Sequence, residues 1–367
     1  MQKIIKIFFA GLLAIIGISL LYAYIAFPAE YVNRVLRWGD SDVYDYQKFP
    51  KRPLDASKSP FEFSLNLDEE RIRTQFEAIS GIDDFDLFLE KNRTQAFIVI
   101  QDDVILYEQY FNGASRDTIV TSFSTAKSFT SALVGIAISE EHIHSVNDPI
   151  TDYLPELLDR DPAFARIAIR DLLMMSSGIR YKEFPFVNGD DAKTYYSPNL
   201  RQLALEDTSI TGQPGETFHY NNYHPLLLGM ILERATGTTV ARYLQEKIWE
   251  PIGMQSPGSW SLDENGFEKM ESGINARSID FTKFGRLFLQ NGNWDGVQVV
   301  PAEWVAESTQ ADTSIDYANY YYDRFIFADG QGYYKYMWWV SSATNRIMIS
   351  WRWATTANSS TSRPRRT

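Results

Sequence analysis

Ser124 and Lys127 stand three residues apart in Ser124-Thr125-Ala126-Lys127, an S-x-x-K motif. On a helix this spacing puts both side chains on one face, where hydroxyl and amine can come within hydrogen-bond reach. A serine hydroxyl is a weak nucleophile until a base takes its proton, and a lysine can serve as that base where its surroundings favour the neutral amine. A helix opening at Ser124 adds free backbone N–H groups and the positive end of the helix dipole, so the Ser124 amide can donate to an oxyanion. The inert alternative is a helix-capping serine beside a surface lysine. A chain of this length holds roughly one S-x-x-K by chance, so the motif takes its meaning from its surroundings.

Those surroundings are elements able to position it. Residues 96–100 and 104–110 are β-rich and flank Gln101-Asp102-Asp103, which predicts an antiparallel hairpin. Residues 124–140 place Phe129, Leu133, Ile136 and Ala137 in a helical pattern broken only by Gly135, which predicts a largely buried helix starting at the serine. Helical patterns recur at 169–175, 226–236, 240–249 and 279–289, and strand-like sequence returns at 332–340. The fold class expected is α/β of the α+β kind: an antiparallel sheet flanked by helices, with a mostly helical region inserted between its first and last strands, both in one layer.

Composition narrows the chemistry further. The chain has 367 residues, of which 44% are apolar, enough for a sizeable core. Its formal net charge of −12 argues against a surface built for nucleic-acid phosphates. With no cysteine, disulfides, thiolate nucleophiles and Cys-based zinc sites fall away. His142, His144, His219 and His224 form no recognised zinc spacing, and His142 and His144 follow Glu140-Glu141 at a helix end, where a solvated face explains them. No G-x-S-x-G elbow, Walker A or G-x-G-x-x-G occurs, so no metal and no cofactor is expected. Tyr181, Tyr195, Tyr196 and Trp260 are aromatic enough to line a pocket, but ordinary packing explains them equally well. Residues 7–27 form an uncharged run of 21, about 31 Å as a helix, which predicts a membrane anchor rather than a cleaved signal. Lys3 and Lys6 precede it, so the positive-inside rule puts the body on the periplasmic or extracellular side.

On these motifs and their order the chain resembles the serine β-lactamase and penicillin-binding-protein superfamily. S-x-x-K follows a hairpin and opens an apolar helix, as the nucleophile of that fold does. There is no S-D-N, but class C β-lactamases, D-alanyl carboxypeptidases and related esterases use Y-x-N. Three copies occur here: Tyr110-Phe111-Asn112, Tyr220-Asn221-Asn222 and Tyr317-Ala318-Asn319. Tyr220 is the copy the resemblance favours, about a hundred residues after the serine, following Pro214-Gly215-Glu216 and preceding the apolar helix at 226–236. Residues 171–179 and 148–157 also look like family segments, and the likeness runs from about residue 96 to 340, closest in character to hydrolases of 6-aminohexanoate oligomers. It implies that Ser124 attacks a carbonyl carbon, that Lys127 and Tyr220 share the proton transfers, and that Asn222 orients the acyl side chain. The implied partners are a small amide, ester or peptide substrate and, through the N-terminal helix, a membrane; oligomeric state is left open.

The sequence departs from that pattern near its end. A third motif of the K-T-G or H-x-G kind should follow Trp338-Trp339-Val340, and none is legible. The stretch 350–367, with six Ser or Thr between Thr355 and Ser362, reads as an aberrant tail on a truncated domain. Back-translation from the last base of the Met348 codon permits a His-Gly-Gln segment, the expected third motif in a shifted frame. The organisation expected is an anchor at 1–28, an extension at 29–91, an incomplete hydrolase domain at 92–349 and the tail. Besides hydrolysis, a penicillin-binding-like protein without turnover and an inactive gene product fit the same sequence.

Overall fold

The apolar run at the N-terminus forms one continuous helix, α1 (Gln2–Ala26), whose large apolar side chains from Ile4 to Ile25 lie open to the surroundings. A computed structural model describes residues 2–183, 188–310, 312, 314–315, 317, 332–341 and 346–348. Among these, residues 4–26 make the one helix long and apolar enough to cross a membrane. Pro28 ends it, and α2 (Ala29–Trp38) folds back onto the body. Tyr31 and Val32 are buried there, Tyr31 packs edge-on against Tyr196 at 5.8 Å, and the sequestered Arg34 guanidinium donates to the Ser197 carbonyl at 3.0 Å and bonds Glu264.

Short strands and helices follow: β1 (Lys51–Leu54), β2 (Ser64–Leu65), α3 (Glu69–Ser80), α4 (Phe85–Lys91), β3 (Ala96–Gln101), β4 (Val104–Tyr110) and β5 (Ile119–Thr121). The central helical region runs through α5 (Thr125–Ser139), α6 (Pro155–Arg160), α7 (Ile169–Leu173), α8 (Asp190–Tyr196), α9 (Leu200–Glu206), α10 (Tyr223–Thr236) and α11 (Val240–Leu244), which continues into a π-helical turn at Gln245–Trp249. Then come β6 (Gly258–Ser261), β7 (Ile274–Arg277), α12 (Ser278–Leu289), β8 (Asn293–Trp294), β9 (Val297–Gln298), α13 (Ala302–Thr309), β10 (Gly332–Lys335), β11 (Trp338–Ser341) and β12 (Arg346–Met348).

The expected hairpin is β3–β4, with Asp102 and Asp103 at φ of 51° and 62° in its two-residue turn. Aspartate tolerates this left-handed region better than most residues, and such turns match strand twist. The single sheet expected is instead divided among the described residues. An antiparallel sheet has the order β1-β6-β7-β5, β2-β4-β3 forms a second, and β10-β11-β12 a third. No local pattern announces the first of these, because its strands are three or four residues long and its first strand pairs with one more than two hundred residues later. The strand expected over 332–340 is itself a hairpin. It turns at Tyr336 and Met337, both at positive φ (43° and 66°), without the Asn-Gly signature that would announce it. Tertiary bonds hold that turn: the Met337 N–H donates to the Leu173 carbonyl at 3.1 Å, and its carbonyl accepts from the Ser128 hydroxyl at 2.9 Å. The third-motif region after residue 341 lies largely, and the tail at 350–367 wholly, outside the described residues.

Helix α5 is the spine of the core, with every residue from Thr125 to Ala137 buried. Phe129 stacks on Phe284 of α12 at 3.7 Å, and Phe284 in turn faces Trp338 of β11 at 5.8 Å. At Gly135 a Cβ would lie 2.4 Å from the Trp304 ring of α13, so only glycine admits this approach. The small-and-apolar composition of the helix is therefore a packing requirement, and it fixes the helix that opens at Ser124.

Candidate active site

Ser124 is the exposed head of this otherwise buried helix. The chain reaches it from β5 through Ser122 and Phe123, the latter at a φ of 44°, a strained value for a bulky side chain. What holds the strain is a clamp. The Ser122 N–H donates to the Ile274 carbonyl at 2.6 Å, its Oγ accepts from the Ile274 N–H at 3.1 Å, and the Thr121 hydroxyl donates to the Ser272 carbonyl at 3.2 Å. Beyond the strained residue the helix starts with tight turns: the N–H groups of Thr125, Ala126 and Lys127 return to the carbonyls of Ser122, Phe123 and Ser124. Ser124 therefore projects from a rigid corner between a strand and a helix.

Lys127 lies one turn deeper and is 1% exposed. Its Nζ is 3.0 Å from the Ser124 Oγ and donates to the Glu271 carbonyl at 2.8 Å. It also sits 4.9 Å from the centre of the Tyr220 ring. Among the described residues no carboxylate lies within ion-pair distance of this amine. The groups arranged around Nζ are a hydroxyl, a carbonyl and an aromatic face, the setting in which a proton can be exchanged with Oγ over one hydrogen bond.

Tyr220 is the Y-x-N copy that reaches the lysine. Its ring stacks on Trp339 of β11 at 5.5 Å and meets Tyr334 edge-on at 5.8 Å. The Tyr110 hydroxyl instead bonds Glu108 within its own strand, and the Tyr317 hydroxyl donates to the Tyr334 carbonyl at 2.8 Å. Asn221 is the structural member of its triplet: fully buried, it donates to the Ile179 carbonyl at 3.1 Å and accepts from the Tyr223 N–H at 2.8 Å. Asn222 stands at the start of α10, its amide nitrogen donating to the Tyr181 hydroxyl at 2.9 Å and to Asp191 at 3.3 Å, and its buried carbonyl oxygen has no hydrogen-bond partner among the described residues. Tyr181 bonds Asp191 as well, and burial together with that carboxylate drives its phenol well above the ordinary tyrosine pKa.

Several of these participants carry no signal in the sequence. The Glu271 carbonyl is a backbone atom 144 residues from Lys127, and no residue type marks it. Tyr181 was visible as an aromatic, but its link to Asn222 and Asp191 was not. Of the other aromatics, Trp260 is sealed in the core, and Tyr195 and Tyr196 pack near α2. His142 lies at the solvated end of α5, 3.7 Å from Glu140. His224 is buried, its Nε2 2.6 Å from the Ser177 hydroxyl.

A mixed α/β body with a serine at the head of a buried helix and a lysine one turn along defines the class: the serine hydrolase superfamily of β-lactamases and penicillin-binding-protein-like proteins. The chain belongs to the Beta-lactamase family, whose sequence profile matches residues 89–350. It is 27% identical over 266 residues to the 6-aminohexanoate-dimer hydrolase of Paenarthrobacter ureafaciens, covering 70% of this chain and 66% of that protein. It is 27% identical over 164 residues to a teichoic acid D-alanine hydrolase of Staphylococcus aureus, covering 44% and 38%. The matched stretch thus spans less than two thirds of either relative. In fold it is similar to a Bacillus anthracis structure provisionally named a 6-aminohexanoate-dimer hydrolase, with a TM-score of 0.70 at 24% identity over 83% of this chain and 79% of that one. It is also similar to a penicillin-binding protein of Bacillus halodurans, with a TM-score of 0.53 at 16% identity over 71% and 85%.

Proposed function

We propose that the chain hydrolyses an amide or ester through an acyl-Ser124 intermediate. The observation that carries this is the 3.0 Å contact between an exposed serine hydroxyl and a buried lysine amine on one helix face. In the first step the Ser124 Oγ bonds to the carbonyl carbon while its proton passes to Lys127 Nζ. The oxyanion is met by the Ser124 N–H. Collapse expels the amine or alcohol, which leaves with a proton delivered through Lys127 and the Tyr220 phenol. Water then attacks the acyl-serine, its proton following the reverse path, and the carboxylic acid departs. Asn222 orients the acyl side chain, and the exposed Asp191 beside it favours an acyl group bearing an amine.

The substrate classes to try are those in the names of the relatives, a 6-aminohexanoate dimer and teichoic acid D-alanine. The apolar run of α1 holds the body at the outer face of a membrane, Lys3 and Lys6 at its N-terminal end remaining inside. The deciding experiment incubates the full chain in detergent with p-nitrophenyl acetate and a fluorophosphonate probe and locates the adduct by peptide mass spectrometry. Adduct on Ser124, burst release of nitrophenolate and loss of both in Ser124→Ala are expected. Labelling without turnover would indicate a binding protein of the penicillin-binding kind, and no labelling would overturn the assignment.

A further inference from the structure

We propose that Lys269 and Glu271 are positioning residues for this site: a buried ion pair that holds the Glu271 carbonyl where it receives Lys127, an inference that rests on the serine-hydrolase reading above. The Lys269 Nζ lies 2.7 Å from Glu271 Oε1, with the two side chains 3% and 6% exposed. The ammonium is enclosed on its other sides. It donates to the Thr194 carbonyl at 3.0 Å and lies 4.7 Å and 5.6 Å from the ring centres of Phe49 and Tyr195. Glu271 Oε1 also accepts from the Ser272 hydroxyl at 3.2 Å, and Oε2 has no hydrogen-bond partner among the described residues. Taking two charges out of water costs several kcal/mol per ion, and their attraction returns little of it as net stability. A pair in this place is better explained by the geometry it imposes.

That geometry is the turn from Lys269 to Gly273. The Gly273 N–H closes onto the Lys269 carbonyl at 2.8 Å, which also accepts from the Trp260 indole at 3.1 Å. Two successive carbonyls of the turn then point at the nucleophile's helix and at the corner that leads into it. Glu271 takes Lys127 at 2.8 Å, and Ser272 takes the hydroxyls of Thr121 and Ser122 at 3.2 and 3.1 Å. One turn therefore grips both the strained corner before Ser124 and the base that serves it. The pair is braced in turn by the segment after α2, where Asp45 accepts from the Tyr195 hydroxyl at 2.9 Å and from Lys48 at 2.8 Å. Without the ion pair the Glu271 peptide is free to rotate and Lys127 loses its acceptor. Misplacing a reacting group by about 1 Å can cost about 10²-fold in rate.

The test is the neutral double variant Lys269→Met with Glu271→Gln, which leaves no orphaned charge. Methionine is chosen over alanine because Lys269 borders a small cavity with Asp45, Phe49 and Thr121, and truncation would add void there. With p-nitrophenyl acetate, kcat is expected to fall about 10²-fold while KM stays within about twofold and the melting temperature within a few degrees. The single variant Glu271→Gln, which keeps every bond of Lys269 to the carbonyls, should lose about tenfold in kcat at unchanged KM. A folded double variant with wild-type kcat would overturn the inference, as would a wild-type Glu271→Gln if the double variant does not fold. Failure of the wild type itself to acylate at Ser124 would overturn the serine-hydrolase reading and this inference together. Wild-type acylation with unimpaired variants would overturn this inference alone.

Discussion

Replacing Tyr220 by phenylalanine removes one oxygen and leaves the surroundings of the ring in place. The stack on Trp339 at 5.5 Å and the 4.9 Å approach of Lys127 Nζ both involve the ring, which Tyr220→Phe retains. Stability should therefore change by less than about 0.5 kcal/mol, a typical value for a substitution that breaks no buried contact. If the phenol relays protons to the leaving group, its loss should lower kcat/KM by about 10²- to 10⁴-fold, equivalent to about 2.7–5.4 kcal/mol at 1.36 kcal/mol per decade. Tyr220→Ala removes the ring as well, and with it a stacking contact of about 0.5–1.5 kcal/mol and the aromatic face that covers Lys127. Alanine should thus lower the melting temperature where phenylalanine does not, with activity no better. The assay is nitrophenyl-ester hydrolysis under pre-steady-state conditions, which separates acylation from deacylation, alongside thermal melting. Tyr220→Phe activity within threefold of wild type in both phases would refute the assignment of Tyr220 to proton transfer and reduce it to a packing residue.

Two further outcomes concern stability. Burial, with a smaller contribution from His219, lowers the His224 pKa from 6.5 to about 3, so the folded protein holds it neutral. Between those values the unfolded chain binds the extra proton, so stability is full above pH 6.5 and falls as pH drops toward 3. From pH 7 to pH 5 this one group should cost about 2 kcal/mol. Urea unfolding at the two pH values should show a smaller drop for His224→Gln than for wild type; equal drops would show that His224 is not the source. Gly135→Ala would add about 1 kcal/mol in an open helix, but here its Cβ meets the Trp304 ring at 2.4 Å. Overpacking of about 1–3 kcal/mol should reverse the sign and lower the melting temperature by a few degrees, with partial recovery when Trp304→Phe is added; a stabilised Gly135→Ala would contradict the close packing of α5 on α13.

Local periodicity accounts for what could be read in advance. The S-x-x-K spacing, the apolar pattern over 124–140 and the β-rich runs around Asp102-Asp103 each depend on neighbours a few residues away, and each appears in the structure as α5 and the β3–β4 hairpin. The apolar helix at the N-terminus was legible for the same reason. Other features depend on contacts that no local pattern encodes. Among three Y-x-N triplets the order of motifs favours Tyr220, but nothing local shows that Trp339 and Lys127 pack around its ring. The hairpin at Tyr336 and Met337 turns without glycine or asparagine because Leu173 and Ser128, more than a hundred residues earlier, supply the bonds that hold it. By itself the sequence determined the residue types of the site, the helix that carries two of them and the family to which they belong. Only the tertiary structure decided which carbonyl holds the lysine and which rings pack around the tyrosine that motif order favours, because a backbone acceptor has no residue type and a distant contact has no period.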